Sequence, residues 1–239
     1  MDDRSTGPPS RSDLAGPRFE SIPSPGGGRR WLTRLGPADE AEYRDAVRPL
    51  AGRIERVLGP EVFAIRTRPA PGGRRLVSWG PARAAWRRAL RRAIAETRRD
   101  TTFAVADIQD CYGSISPETI ARLLGPEAKP TVAFLRRIHE GSVRGLPIGP
   151  DPSAILANAV LSELDRAIRK TGARHLRWVD DIVLWGSRGD VGSALRALDD
   201  VAARMGLALH PAKTRFLTDL REARTVALGE RDSSIIAAP

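Results

Sequence analysis

Cysteine is nearly absent from this chain. Cys111 stands alone among 239 residues, which excludes an internal disulfide and a cysteine-ligated zinc site and points to a reducing compartment. Lysine is almost as scarce. Only Lys129, Lys170 and Lys213 are lysines among 39 basic residues; the other 36 are arginine. A GC-rich genome explains that excess as readily as function does. No apolar run approaches the roughly 18 residues of a membrane span, and the N-terminus lacks the apolar core of a signal peptide. A cytoplasmic protein without a membrane association is expected. No internal repeat is evident.

What is present is a basic chain long enough to bury a core. Hydrophobic residues make up 41% and the formal net charge is +10, with a pI of about 11.0. Such a charge asks for an anionic partner, nucleic acid first and an acidic membrane surface second. Arginine makes forked contacts to phosphate whatever put it there.

Residues 1–30 are rich in Pro, Gly and Ser and read as a flexible tail. Apolar residues from Tyr43 to Val57 recur at helical spacing, with Pro49 expected to kink or divide the helix. Val62–Trp79 reads as a hairpin with a basic tip at PAPGG. A helix over 81–99 sets Trp86, Leu90 and Ile94 on one face and a row of arginines on the other. That row is either a solvated face or a backbone contact for nucleic acid. FAVADI, Phe103–Ile108, reads as a buried strand ending in a carboxylate. Ser116 and Pro117 open a helix as cap and first residue. Helices follow over 152–171 and 191–205, with the strands RHLRWV and IVLWG between them, and LALHP begins a last strand. From Phe103 onward this order fits an α+β fold: a small antiparallel sheet of split βαβ plan with helices on one face.

RWVDDIVLWG, Arg177–Gly186, places Asp180 and Asp181 at the turn of the central hairpin. A DD pair in a turn is by itself most often structural. In a split βαβ sheet, however, the first strand can neighbour that hairpin, and Asp107 then joins the pair. Three converging carboxylates are unstable without cations, and hard Mg²⁺ ions serve well. Two such ions activate a 3′-hydroxyl and stabilise a leaving pyrophosphate. Basic surface and strand-end carboxylates together suggest nucleotidyl transfer.

DIQDCYGSI, VRGLPIGPDPSAILAN, RWVDDIVLWG and GLALHPAKT resemble four core motifs of reverse transcriptases, in order and in rough spacing. The likeness is to bacterial defence-associated and retron-like members. It implies a right-hand polymerase with a fingers-like region over 31–102, a palm over 103–220 and a short C-terminal tail over 221–239 without a full thumb. Asp107 and Asp180 become metal ligands, with Asp181 beside them, for two Mg²⁺ ions that Mn²⁺ can replace. Asp110 lies beside the incoming dNTP and Tyr112 at the steric gate that disfavours ribonucleotides. Pro147, Gly149 and Ser153 match the loop that leads into the next helix, and Asn158 matches the family's LAN, where a purely structural hydrogen bond is one reading. Lys213 matches a lysine that assists pyrophosphate departure. Arg66, Arg68, Arg74 and Arg75 lie in the hairpin where the family holds the triphosphate, Arg74 and Arg75 foremost.

Three positions depart from the pattern. Trp178 stands for the usual tyrosine, Ile148 for a glutamine and His210 for an asparagine. The implied partners are an RNA template, a DNA product and dNTPs, with a protein, a non-coding RNA or a second copy supplying the missing grip. Two other functions fit the same motifs: a palm-like nucleic-acid-binding subunit that does not catalyse, and an RNA-dependent RNA polymerase.

Overall fold

A computed structural model describes residues 17–23, 29–98, 100–139, 145–217 and 219–228. A hairpin of β1 (Arg18–Pro23) and β2 (Arg29–Arg34) leads into α1 (Pro37–Val57). A second hairpin, β3 (Thr67–Ala70) and β4 (Gly73–Leu76), leads into α2 (Trp79–Ala95). After β5 (Thr102–Ala106) come α3 (Cys111–Ser114), α4 (Pro117–Leu124), a 3-10 turn at Gly125–Ala128, α5 (Lys129–Ile138) and α6 (Asp151–Ile168). The chain then forms β6 (Arg174–Trp178), β7 (Asp181–Gly186), α7 (Arg188–Met205), β8 (Arg215–Phe216) and α8 (Leu220–Leu228). Among the described residues no helix is long and apolar enough to cross a membrane.

The main sheet runs in the order β6-β7-β5-β8, antiparallel throughout. That is the order of the expected split βαβ plan. It puts the first strand β5 against the second strand of the central hairpin. Strand alternation then sorts the side chains. Ala104, Ala106, Ile182 and Leu184 face α6 and α7 within the larger core, which also takes in α1 and α5. Phe103, Leu176, Trp178, Val183 and Trp185 face the other way, against Trp86, Leu90 and Ile94 of α2 and Ala223 of α8. Helices therefore cover this second face as well as the expected first one. The arginine-rich helix over 81–99 begins at Trp79, and its apolar stripe forms the second core.

Local sequence explains several boundaries. Ser116 accepts a hydrogen bond from the Thr119 N–H at 3.1 Å and Pro117 occupies the first turn of α4. Ser187 caps α7 in the same way through Asp190 N–H.

Other expectations need correction. α1 continues through Pro49. The tail expected over 1–30 includes β1 and the start of β2; its residues 1–16 and 24–28 lie outside the described residues. The tail expected over 221–239 begins inside α8, and 229–239 lie outside as well. LALHP contributes a single bridge, Leu209 to Ile108, and the fourth strand is Arg215–Phe216, beyond Lys213. Pro211 cannot donate to a ladder, so pairing resumes only after the turn that carries Lys213.

Candidate active site

Antiparallel register brings the carboxylates to one end of the sheet. Ala106 of β5 pairs with Ile182 of β7, so the next residues outward, Asp107 and Asp181, leave the sheet side by side. Asp180 lies in the two-residue turn, Val179–Asp180, that joins β6 to β7, and Asp181 opens β7. Asp107 is buried, and its Oδ2 accepts a hydrogen bond from Lys213 Nζ at 3.1 Å. The segment that carries Lys213 hangs on the same strand end, because His210 N–H donates to the Asp107 carbonyl at 2.8 Å and Thr214 N–H donates back to His210 at 2.9 Å.

Charge in this corner is out of balance. Burial, then the repulsion of Asp181 and of Asp107, push the Asp180 carboxyl up to about 6 against the pull of Lys213. Asp181 is also raised, by lost hydration and by Asp107, although its side chain reaches solvent and is partly screened. The cations that offset Asp181 are Lys213 and Arg83. Three oxygen-donor side chains with an excess of negative charge fit a hard divalent cation.

A buried ion network holds the turn from beneath. Arg177 is wholly buried. Its guanidinium donates to Asp165 of α6 from Nε at 2.9 Å and from Nη2 at 2.8 Å, and from Nη1 to Asn158 Oδ1 and the Val179 carbonyl, both at 2.9 Å. Val179 sits at φ 55°, a left-handed conformation that costs a β-branched residue roughly 1–2 kcal/mol. The bond from Arg177 holds the carbonyl of that strained residue, and so aims the two aspartates that follow. Asn158 Nδ2 donates to the carbonyls of Ala64 and Ile65 at 3.2 and 3.1 Å, which ties the turn to the segment before β3. Asn158 therefore has the structural hydrogen bonds that were one of its readings.

Asp165, His175 and Glu61 form the one trio among the described residues whose potential ligand atoms all lie within 4.8 Å of one another. Cations of the protein already answer it. Arg177 pairs with Asp165 at 2.8 Å and Arg169 with Glu61 at 3.2 Å. Burial raises the Asp165 carboxyl, but Arg177 and His175 outweigh it and hold the group at about 2. This cluster is a closed ion network.

The remaining predicted residues divide. Tyr112 packs against the larger core beside Cys111, its phenol raised by burial first and then by Cys111 and Asp180. Asp110 adopts a left-handed conformation at the start of α3, and a side chain at Gly113 would strike its carboxylate. The motif loop docks on this turn: Leu146 N–H donates to the Tyr112 carbonyl at 2.7 Å, and Gly145 has no room for a Cβ against the Tyr112 and Gly113 carbonyls. Pro147 is buried behind it. The close approach at Gly149 is to the Thr33 carbonyl, 3.1 Å from where a Cβ would lie, because β2 docks on this loop through Thr33 N–H to Ile148 O at 2.7 Å. Ser153 shares a buried 3.0 Å hydrogen bond with Tyr43 of α1.

In the β3–β4 hairpin, Arg74 donates to Thr67 Oγ1 and Thr67 O at 2.9 Å each, and Arg66 to Glu55 and nearby carbonyls. Arg75, across the ladder from Arg68, stays in the same hairpin. The arginine that acts on Asp181 is Arg83, which lies over the rings of both Trp86 and Trp178. It was visible in sequence only as one of a row on α2, and nothing in its spacing distinguishes it from its neighbours.

The chain matches the family model described as "Reverse transcriptase (RNA-dependent DNA polymerase)" over residues 41–231. No curated protein sequence matches it. Among solved structures, it is similar to telomerase from Candida tropicalis in complex with a TWJ fragment of telomeric RNA, at 12% identity and TM-score 0.56, covering 84% of this chain and 41% of that one. Telomerase from Candida albicans in the corresponding complex gives 11% and 0.56, over 88% and 43%. An RdRp complex gives 10% and 0.54, over 86% and 20%. The chain thus spans about two fifths of the telomerase structures, and at these identities the likeness is one of fold.

Proposed function

The chain belongs to the reverse transcriptase family, and from that premise we propose that it is an RNA-directed DNA polymerase, extending a 3′-hydroxyl with dNTPs on an RNA template. The observation that carries the reading is the placement of Asp107, Asp180 and Asp181 at one sheet end by strand register, with their charge unbalanced and Lys213 on Asp107. The fingers take residues 31–102 and the palm 103–220.

Asp107 and Asp180, with Asp181, hold two Mg²⁺ ions, which Mn²⁺ can replace. When bound, these ions activate the 3′-hydroxyl and stabilise the departing pyrophosphate. Lys213 keeps Asp107 oriented in their absence and brings a positive charge to the leaving group. Tyr112 bars a ribose 2′-hydroxyl, Asp110 and Gly149 flank the nucleotide, and Arg74 and Arg75 meet its triphosphate. The setting is a bacterial antiviral defence system in the cytoplasm, with a protein, a non-coding RNA or a second copy as partner. The resemblance of GLPIGP to defence-associated and retron-like members supports that part.

Primer extension with labelled nucleotides tests the reading. The wild type incorporates dNTPs in preference to NTPs and requires Mg²⁺, and Asp180→Asn abolishes incorporation while the fold is retained. A fully active variant overturns the assignment, and a preference for NTPs returns it to the RNA polymerases.

A further inference from the structure

Trp178 departs from the family pattern, and its ring is closed to substrate. It is 4% exposed, covered by residues of α2. Trp79 meets it edge-on at 5.2 Å, and the Arg83 guanidinium lies 4.8 Å from its ring centroid and 4.5 Å from that of Trp86. Trp79 itself is 58% exposed. Trp79 thus presents an aromatic surface to solvent while its edge is anchored on a buried aromatic core. The surroundings are cationic. No acidic residue lies between Trp79 and Ala95, and Arg83 and Arg87 stand one helical turn apart.

The two turn carboxylates divide the space around them. Asp180 acts on Cys111 and Tyr112. Asp181 is the cross-strand partner of Trp178 and acts on Arg83. Two-metal transfer sets the attacking and leaving oxygens on opposite sides of the metal pair. With the incoming nucleotide on the Tyr112 side, the end of the growing strand has the Trp79 side.

We infer that Trp79 is a stacking platform for the 3′-terminal base of the primer strand, with Trp178, itself packed on Arg83, as the base on which its ring is fixed and Arg87 facing the strand's phosphates. This rests on the polymerase reading above. A base gains from an aromatic face whatever its identity, and the adjacent arginines supply phosphate contacts. The tryptophan in place of the usual tyrosine is thereby explained: it supports a second ring and does not meet the substrate itself.

The probe is a DNA primer annealed to an RNA template, with 2-aminopurine as the 3′-terminal base, in Ca²⁺ buffer. The wild type changes the fluorescence of that base, and Trp79→Ala abolishes the change and weakens binding about ten- to a hundred-fold. In extension assays with Mg²⁺, Trp79→Ala raises the KM for primer–template by a similar factor and leaves the KM for dNTP as it was. Trp79→Phe restores most of both. Trp79 also covers part of Trp178, so Trp79→Ala should lower the melting temperature slightly, and Trp79→Phe, which keeps a ring there, separates that cost from the loss of binding. Unchanged primer affinity and fluorescence in Trp79→Ala overturn the inference, as does a rise confined to the KM for dNTP. A Trp79-dependent fluorescence change in a wild type that incorporates nothing supports the platform and overturns the polymerase.

Discussion

Two acid clusters share the β6–β7 hairpin, and the protein answers them differently. Beneath the sheet, Asp165 faces Arg177 and His175, and its carboxyl is held at about 2. At the turn, Asp180 faces Asp181 and Asp107, and its carboxyl rises to about 6. Burial acts on both in the same direction. What separates them is whether folding supplies the counter-charge. A buried acid paired within the protein needs nothing more and serves the fold. An acid left short of positive charge is held ready for an external cation. Arg177 joins the two, because its guanidinium pairs with Asp165 and also bonds the carbonyl of Val179, one residue before Asp180.

The contrast can be broken by removing one acid from each cluster. Asp180→Asn should lower incorporation a thousand-fold or more, since several kcal/mol of transition-state stabilisation pass through the metal ligands. It should leave the melting temperature of the metal-free protein unchanged or raised, because a repelled carboxylate is gone. A marked fall in melting temperature would mean the turn cluster serves the fold after all. Arg177→Met should act first on stability, costing about 3–5 kcal/mol in chemical denaturation by leaving Asp165 buried with only His175 beside it. The double variant Arg177→Met/Asp165→Leu should recover much of that loss. A cost under about 1 kcal/mol for the single variant would remove Arg177 from its place in this account.

Smaller effects sharpen it. Lys213→Ala should reduce incorporation about a hundred-fold with a smaller change in stability than Arg177→Met, since the lysine is half-exposed, at 49%, although Asp107 is buried. The last effect is pH dependence. The Asp165 carboxyl titrates lower in the folded chain than in the unfolded one. Its ion pair therefore contributes fully above about pH 4, the ordinary aspartate range, and the contribution is lost as pH falls through about 2. Denaturation midpoints measured between those limits should drop by the equivalent of about 2 kcal/mol. A flat profile would show that Arg177 and His175 do not hold the charge.

Much of the fold was legible from periodicity. The apolar stripes of α2, α6 and α7, the Ser116 cap and the strands on either side of Asp180 all lie where local pattern puts them. The β1–β2 hairpin was missed because its segment is rich in Gly, Pro and Ser and it docks through backbone, Thr33 to Ile148. The closed trio was missed because its members are far apart in sequence. Asp165 sits on a helix, His175 on a strand and Glu61 in a loop, and no local spacing links them.

By itself the sequence determined three of the sheet's four strands and the aspartates at their ends, because alternation and turn chemistry are local properties of the chain. It also determined that the chain is basic. Only the tertiary structure decided which charges meet: that Arg177 goes to Asp165, that Lys213 goes to Asp107, and that, among the described arginines, Arg83 is the one that acts on Asp181. Electrostatic partners are chosen by distance and burial after packing, and a linear pattern carries neither.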